Sequence, residues 1–145
     1  MGRLMLPASG VVYVDTAPII YTVERHADYE SLLLPLWTAV ENQTLRVVTS
    51  ELTLLETLVK PLRDGDTLLA RDYEMLLTAT RLRLQPITAQ ILKDAAQIRA
   101  TAKLKTPDAI HAATALALGC VQFITNDDGF RKVSPLPVII LKDLL

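Results

Sequence analysis

The fold of this chain follows first from residues 11–21, VVYVDTAPIIY. Val11 to Val14 are apolar and β-branched or aromatic, which is typical of a strand buried on both faces. Asp15 comes next, and Thr16 to Glu24 then reads as a short helix, because Pro18 falls in its first turn, where proline is tolerated. A strand, an acid and a helix in direct succession indicate an α/β unit.

The same alternation recurs along the remaining sequence. Apolar runs predict four further strands, at 45–49, 82–87, 121–125 and 138–141. Capped or amphipathic segments predict helices at 28–41, 51–59, 66–80, 89–103 and 107–118, with a short helical turn at 129–132. Pro35 is expected to kink the helix at 28–41 or to mark its real start, and Pro61 is expected to stop the helix at 51–59.

The helix after Thr106 has the clearest boundaries. Thr106 is expected to be its N-cap, Pro107 its first residue, and Gly119 the residue that follows its last turn. Its body, AIHAATALAL, is apolar on nearly every side, so the helix should be central and buried. The elements together predict an α/β fold, a parallel-stranded sheet with helices on both faces in three layers. Residues 1–10 are expected to be an N-terminal extension, and 11–145 a single domain.

Composition excludes several classes of protein. One cysteine, Cys120, and two histidines are too few for a zinc site or a disulfide framework, and a lone thiol suits a reducing compartment such as the cytoplasm. No apolar run reaches the ~18 residues of a membrane span, and the first ten residues lack a signal-peptide pattern. The net charge of −1 neither supports nor excludes a nucleic-acid ligand, because metal-bound carboxylates would leave the remaining surface positive.

Acidic residues recur where parallel sheets gather ligands, at the carboxyl ends of the strands. Asp15 follows the first strand, and Asp127 and Asp128 follow the fourth. Asp108 lies in the first turn of the buried helix, and Glu56 lies on the helix after the second strand. Carboxylates held together repel one another unless a cation is present, and Mg²⁺ or Mn²⁺ prefers such oxygen ligands. The pattern predicts a site for one or two ions that act on a phosphodiester.

Each acid taken alone has a structural explanation. Asp15 can be the N-cap of the helix that follows it, and Asp108 is favourably placed for the dipole of its own helix. Asp127 and Asp128 before a glycine are typical of a turn, and Glu56 can be a solvated helix residue. Only their conjunction at one edge of one sheet indicates a metal site.

Polar residues beside the acids are candidates for orienting them. Thr16, Thr125 and Asn126 can donate hydrogen bonds to carboxylates or hold a water. His111 comes three residues after Asp108 on the same helix face, so it either meets the pocket or, as is more common, is a structural histidine. The cations just upstream of Asp108 either steer a phosphate backbone or belong to a solvated helix end: Arg99, Lys103 and Lys105.

Four segments in this order resemble the PIN-domain family, in particular the VapC-type toxins of toxin–antitoxin pairs. They are VVYVDTAPIIY at 11–21, TSELTLLE at 49–56, TPDAIHAATALALG at 106–119 and FITNDDGF at 123–130. The resemblance extends over about residues 11–141. It implies a metal-dependent endoribonuclease, commonly a homodimer, and for a toxin an antitoxin chain that covers or enters the acidic pocket. The family's four acids fall here on Asp15, Glu56 rather than Glu51, Asp108 and Asp127, and its supporting polar residues fall on Thr16 and on Thr125 or Asn126.

Two features depart from the family pattern. Some relatives carry a further acid three positions after the aspartate of TND, where this chain has Phe130, and Asp128 is open as a substitute ligand. The ten residues before the first strand also exceed those of many relatives. Because all four main acids are present, the sequence favours a Mg²⁺- or Mn²⁺-dependent endoribonuclease acting on single-stranded or looped RNA, the toxin of a type II pair. The alternative is a non-catalytic module of the same fold that binds RNA or protein.

Overall fold

The computed structural model describes residues 2–145 and contains a five-stranded sheet in which neighbouring strands are parallel. The strands are β1 (Val11–Val14), β2 (Arg46–Ser50), β3 (Arg83–Gln85), β4 (Gln122–Thr125) and β5 (Val138–Ile140), in the order β3-β2-β1-β4-β5. β1 is therefore central, and the chain changes direction across the sheet between β1 and β4. The predicted α/β fold with a parallel sheet is confirmed.

The helices cover both faces of the sheet. They are α1 (Thr16–Val23), α2 (Glu30–Asn42), α3 (Glu51–Asp64), α4 (Thr67–Thr78), α5 (Ala89–Thr101) and α6 (Thr106–Ala117), with 3₁₀ turns at Asp128–Lys132 and Leu141–Leu144. One apolar core contains Val12 and Val14 of β1 with side chains of α1, α2 and α4. The other contains Tyr13 of β1 and Phe123 of β4 with side chains of α5 and α6. Side chains on both faces of the central strand β1 pack into these cores, which explains why its sequence, VVYV, is uniformly apolar.

Two prolines, Pro35 and Pro61, lie beyond the first turn of a helix. The prediction that Pro61 stops its helix is wrong, because α3 continues to Asp64 and ends before Gly65, whose φ is +69°. Proline removes one N–H, and here the loss falls in the last turn of the helix, where the Pro61 ring is buried. The Asp66 N–H donates to the Pro61 carbonyl over 2.8 Å and closes the helix end. Pro35 likewise lies inside α2, which begins at Glu30 rather than at the proline.

The start of α6 differs from its prediction by one residue. Its N-cap is Lys105, so Thr106 is the first helical residue rather than the cap. The Thr106 hydroxyl instead accepts a hydrogen bond from Arg99 Nη1 at 3.0 Å, and Arg99 Nε donates to the Leu104 carbonyl at 3.1 Å. Arg99 therefore ties the loop before α6 to α5. Gly119 follows the helix with a φ of +63°, as its position in the sequence predicted.

The residues before β1 contact later parts of the chain. Leu4 is buried, and the Gly2 N–H donates to the Leu144 carbonyl at 2.7 Å. Gln122, the first residue of β4, donates from Nε2 to the Met5 carbonyl at 2.7 Å. Among residues 2–145, no helix combines the length and the apolar character needed to cross a bilayer.

Candidate functional site

The carboxyl ends of β1 and β4 lie side by side where the strand order reverses. Asp15, directly after β1, is buried, and its backbone N–H donates to the Ile124 carbonyl at 2.9 Å. Its Oδ1 accepts from the Thr16 N–H at 2.8 Å, so Asp15 is the N-cap of α1. Its Oδ2 accepts from Thr125 Oγ1 at 2.7 Å. Asp15 thus caps a helix and also stands at the edge where a ligand would bind.

Glu56 reaches the same edge from α3. Its Oε1 accepts from Thr16 Oγ1 at 2.8 Å and lies 2.7 Å from His111 Nε2. Glu51, the other acid in this part of α3, is exposed and accepts from the Ile87 N–H at 3.1 Å. The structure therefore brings Glu56, and not Glu51, to the surroundings of Asp15.

His111 connects the acids to the interior of the protein. Its side chain is only 1% exposed, and its Nδ1 lies 2.6 Å from the hydroxyl of Tyr13. Its Nε2 lies 2.7 Å from Glu56 Oε1, 3.2 Å from Thr16 Oγ1 and 3.5 Å from Asp15 Oδ1. His111 is thus fully buried, as a structural histidine is, and it also contacts the acidic edge.

The accumulated charge changes the pKa values of these groups. Burial, followed by the charges of Asp15 and Asp127, raises the pKa of Asp108 to about 6. Burial alone would raise the pKa of Glu56, but the hydrogen bond and charge of His111 outweigh it and lower that pKa. Burial would also lower the pKa of His111, but Glu56 and Asp15 raise it. Glu56 and His111 therefore stabilise each other's charged forms, and Asp108 experiences the crowding of the carboxylates.

A chain of buried hydroxyl groups extends behind the acids. Thr49 Oγ1 lies 2.7 Å from Thr53 Oγ1, which lies 3.4 Å from Thr16 Oγ1. Burial, with the charge of Asp15, raises the pKa of Tyr13 well above its usual value, so its hydroxyl stays protonated. Sequence reasoning missed Tyr13, Thr49 and Thr53. Thr49 lies at the end of β2 and Thr53 in the first turn of α3, so no periodicity of one element links them, and Tyr13 lies within an apolar strand and carries no polar signal.

Asp127 and Asp128 differ in their surroundings. Asp127 is exposed, and its Oδ1 accepts from the Gly129 N–H at 2.8 Å at the start of the 3₁₀ turn. Asp128 lies at the surface, 2.9 Å from Arg131 Nη1 and 2.7 Å from Lys142 Nζ, and the bond from Lys142 lowers its pKa. Asp128 therefore pairs with surface cations. The charge of Asp127, in contrast, raises the pKa of Asp108 and so acts on the acid cluster, which comprises Asp15, Glu56, Asp108 and Asp127.

The two polar residues at the end of β4 have different partners. Thr125 donates to Asp15, as described above, so it orients a carboxylate. Asn126 donates from Nδ2 to the Tyr21 hydroxyl at 3.0 Å, and its Oδ1 accepts from the Lys142 N–H at 2.8 Å. Asn126 therefore joins α1 to the last 3₁₀ turn.

The donor chemistry of this edge fits a hard divalent cation, since the groups are carboxylates backed by hydroxyls. Among residues 2–145, however, no three His, Cys, Asp or Glu side chains are arranged to hold a metal ion as they stand. Oε1 of Glu56 is directed to His111, and Oδ1 of Asp127 to the Gly129 N–H. Asp127 is exposed and Asp108 half-buried, so neither carboxylate is enclosed in the apolar core.

Because the pKa of Asp108 is raised, the stability of the metal-free protein should depend on pH. An acid with a raised native pKa stabilises the fold below its unfolded value, near 3.8, and loses that contribution as pH rises through about 6. At pH 7.5 in EDTA we therefore expect Asp108→Asn to raise the free energy of unfolding by about 1 kcal/mol, an amount reduced by solvent screening. Urea unfolding at pH 7.5 and pH 4.5 tests this, because the gain should be clearly smaller at pH 4.5 and should vanish only below about pH 3.8. A destabilised variant at pH 7.5 would contradict the described repulsion.

The chain is similar to a known protein family in sequence and to several solved structures in fold. Residues 12–135 match the family model of the PIN domain. VapBC2 from Rickettsia felis, solved bound to a DNA fragment of its promoter, has a TM-score of 0.72 at 16% identity, covering 90% of this chain and 98% of that one. VapC20 from Mycobacterium tuberculosis, described as a sarcin–ricin loop cleaving toxin, has a TM-score of 0.68 at 20% identity, covering 83% and 92%.

A third structure, VapBC-1 from nontypeable Haemophilus influenzae, has a TM-score of 0.65 at 23% identity, covering 91% of this chain and 98% of that one. At these identities the similarity to solved structures shows the fold. No curated protein matches the chain by sequence. Because the family model spans most of the chain, including the acids at its sheet edge, the chain belongs to the PIN-domain family.

Proposed function

We propose that this chain is a metal-dependent endoribonuclease, the toxin of a type II toxin–antitoxin pair. The observation that carries the proposal is the gathering of acids from four separate segments, Asp15, Glu56, Asp108 and Asp127, at the carboxyl edge of the sheet. The charges of the other three all raise the pKa of Asp108. A fold that places four carboxylates together gains most when a cation neutralises them, and the family assignment supports nuclease chemistry at this edge.

The roles of the residues follow from their contacts. Asp15, Asp108 and Asp127 would hold one or two Mg²⁺ or Mn²⁺ ions, with Glu56 as a further ligand. When bound, the cation supplies electrophilic stabilisation of negative charge on a phosphate group. Thr16 and Thr125 keep carboxylate oxygens directed at the edge, since Thr125 donates to Asp15 and Thr16 to Glu56.

An accessible strand of RNA is the proposed substrate. Asp127 is exposed and Asp108 half-buried, so the edge is open to a backbone that is not shielded within a duplex. One structural neighbour, VapC20, is described as a toxin that cleaves the sarcin–ricin loop, which supports a looped target. Asp128, paired with Arg131 and Lys142, is not proposed as a ligand.

The proposed partners are an antitoxin and a second copy of the chain. Two of the neighbours described above are VapBC structures, and a further structural neighbour, from Klebsiella pneumoniae, is described as a toxin–antitoxin complex, which supports an antitoxin. Exposed apolar side chains on α3 and α4 support contact with another chain: Leu55, Val59, Leu62, Leu68 and Met75. We further propose a cytoplasmic location, since the one cysteine is unpaired, and we propose residues 11–145 as one nuclease domain behind an extension at 1–10.

The test is cleavage of an RNA that contains unpaired loops. We expect cleavage with Mg²⁺ or Mn²⁺, none in EDTA, and recovery when the metal is restored. Because Asp108 takes up a proton near pH 6, cleavage and Mn²⁺ binding should both weaken as pH falls through about 6. Calorimetry with Mn²⁺ gives the affinity and the number of ions. Cleavage that is unaffected by EDTA would contradict the metal-dependent mechanism.

The second candidate function is a non-catalytic module that binds RNA or protein at the same edge. The observation in its favour is that no group of three potential ligands among residues 2–145 is ready to hold a metal as it stands. Binding of RNA or of an antitoxin without hydrolysis in any divalent metal would establish this alternative.

A further inference from the structure

His111 is the buried polar residue of α6 whose side-chain hydrogen bonds leave the helix. The buried residues around it on α6 are mostly alanine, and the other buried polar one, Thr114, donates to the Ile110 carbonyl of the same helix at 2.6 Å. His111 bonds instead to β1 through Tyr13, to α1 through Thr16 and to α3 through Glu56. Its hydrogen bonds to three other elements distinguish His111 from the alanines that surround it on α6.

Both ends of the imidazole are held, so the ring has one orientation. The Tyr13 hydroxyl contacts Nδ1 at 2.6 Å from the sheet side, and Tyr13 is itself fixed between His111 and a parallel Phe123 ring 5.1 Å away. Nε2 is thereby directed at Glu56 Oε1. A side chain fixed at its far end can hold a flexible glutamate in place.

The two oxygens of Glu56 are not equivalent. Oε1 accepts a hydrogen bond from Thr16 Oγ1 at 2.8 Å and lies within hydrogen-bond distance of His111 Nε2, at 2.7 Å. Within the part of the chain that the structure describes, Oε2 takes part in no side-chain hydrogen bond, and the Glu56 side chain is 28% exposed. Oε2 is therefore the oxygen left for a ligand.

We propose that His111, held by Tyr13, is a positioning residue that fixes Glu56 so that this carboxylate binds the cation through a single oxygen. This inference rests on the proposed function, because it assumes that a divalent cation binds at the acidic edge. His111 does not touch the cation in this scheme. It sets the direction of a ligand, as groups behind a metal site commonly do.

The experiment is calorimetric titration of Mn²⁺ into the full chain, which needs no RNA. We expect His111→Leu to weaken Mn²⁺ affinity by about 10- to 100-fold, because leucine fills a similar volume but cannot hydrogen-bond to Glu56. His111→Gln keeps a donor for Glu56 and should regain most of that loss. Tyr13→Phe removes only the hydroxyl and should weaken affinity less than His111→Leu.

Thr114→Val is the matched control, since it also removes a buried hydrogen bond from α6 but one with no link to the acids. It should leave Mn²⁺ affinity unchanged. Wild-type affinity in folded His111→Leu overturns the inference, and if that variant does not fold, wild-type affinity in Tyr13→Phe overturns it. If Asp15→Asn abolishes Mn²⁺ binding while these variants do not alter it, the positioning role alone fails. If the wild-type chain binds no Mn²⁺, the proposed function fails with it.

Discussion

RNA cleavage should fall by about a thousandfold or more in Asp15→Asn, which corresponds to the several kcal/mol that a bound cation contributes to the transition state. Asp15 is the acid most firmly fixed by the fold, with both oxygens hydrogen-bonded and its side chain buried. The asparagine oxygen can still accept from the Thr16 N–H, so the cap of α1 and the fold should be retained. What is lost is the negative charge that attracts the cation.

Substitutions of two other aspartates show whether the loss of cleavage is specific to the acidic edge. Asp108→Asn should lose cleavage to a similar extent, and the double variant should be little worse than either single one, because ligands of one site act as a unit. Asp94→Asn is the control, since Asp94 accepts a hydrogen bond from Gln90 on α5 and stands outside the acid cluster. Initial rates over Mn²⁺ concentration distinguish weaker metal binding from lost chemistry. Persistent cleavage in both Asp15→Asn and Asp108→Asn would show that the acids are not the catalytic site.

The second large effect concerns stability. Phe130→Ala should lower the free energy of unfolding by about 3–5 kcal/mol, the usual cost of emptying a buried aromatic site. Phe130 is fully buried, with its ring centroid 4.6 Å from that of Phe123, which stacks in turn on Tyr13. For a chain of this length the melting temperature should fall by roughly 10–16 °C.

Phe130→Leu provides the comparison, because it leaves a smaller void and should cost about 1–2 kcal/mol. Urea unfolding in EDTA separates these changes from any effect of metal. A Phe130→Ala variant within experimental error of the wild type would mean that the ring is not packed as described. An acid at position 130 of this chain would place a carboxylate in the cluster of Phe123 and Tyr13, where it would be desolvated without a partner.

The sequence predicted the fold because local and global signals agree. The apolar run of β1 followed directly by Asp15 indicates the end of a buried strand, and in the structure both the end of β1 and Asp15 are buried. Pro61 shows where a local rule fails. A proline is expected to end a helix, but here burial of its ring, which only the tertiary structure provides, offsets the cost of the proline in the last turn. Thr106 is another such case, since the hydroxyl that should have capped α6 is bonded to Arg99 from the preceding helix.

The acids were predictable as a set, but their supports were not. Helical spacing gave no reason to prefer Glu56 to Glu51 on α3, and the preference came from the resemblance. The structure gives the physical difference, since Glu56 meets His111 and Glu51 meets the Ile87 N–H. Tyr13 could not be identified, because a tyrosine in an apolar strand is ordinary core packing until a residue 98 positions later is placed beside its hydroxyl.

The placement of β4 beside β1 has a consequence for protein synthesis. Asp15 and its donor Thr125 are 110 residues apart, and Asp127 is translated later still. A nascent polypeptide on the ribosome therefore lacks Asp127, the last of the four acids, until most of the message has been read, and an mRNA truncated before that codon yields a product without the complete acid set. On the function proposed here, a copy that ends before that codon would lack one of the four proposed ligands and should not cleave RNA.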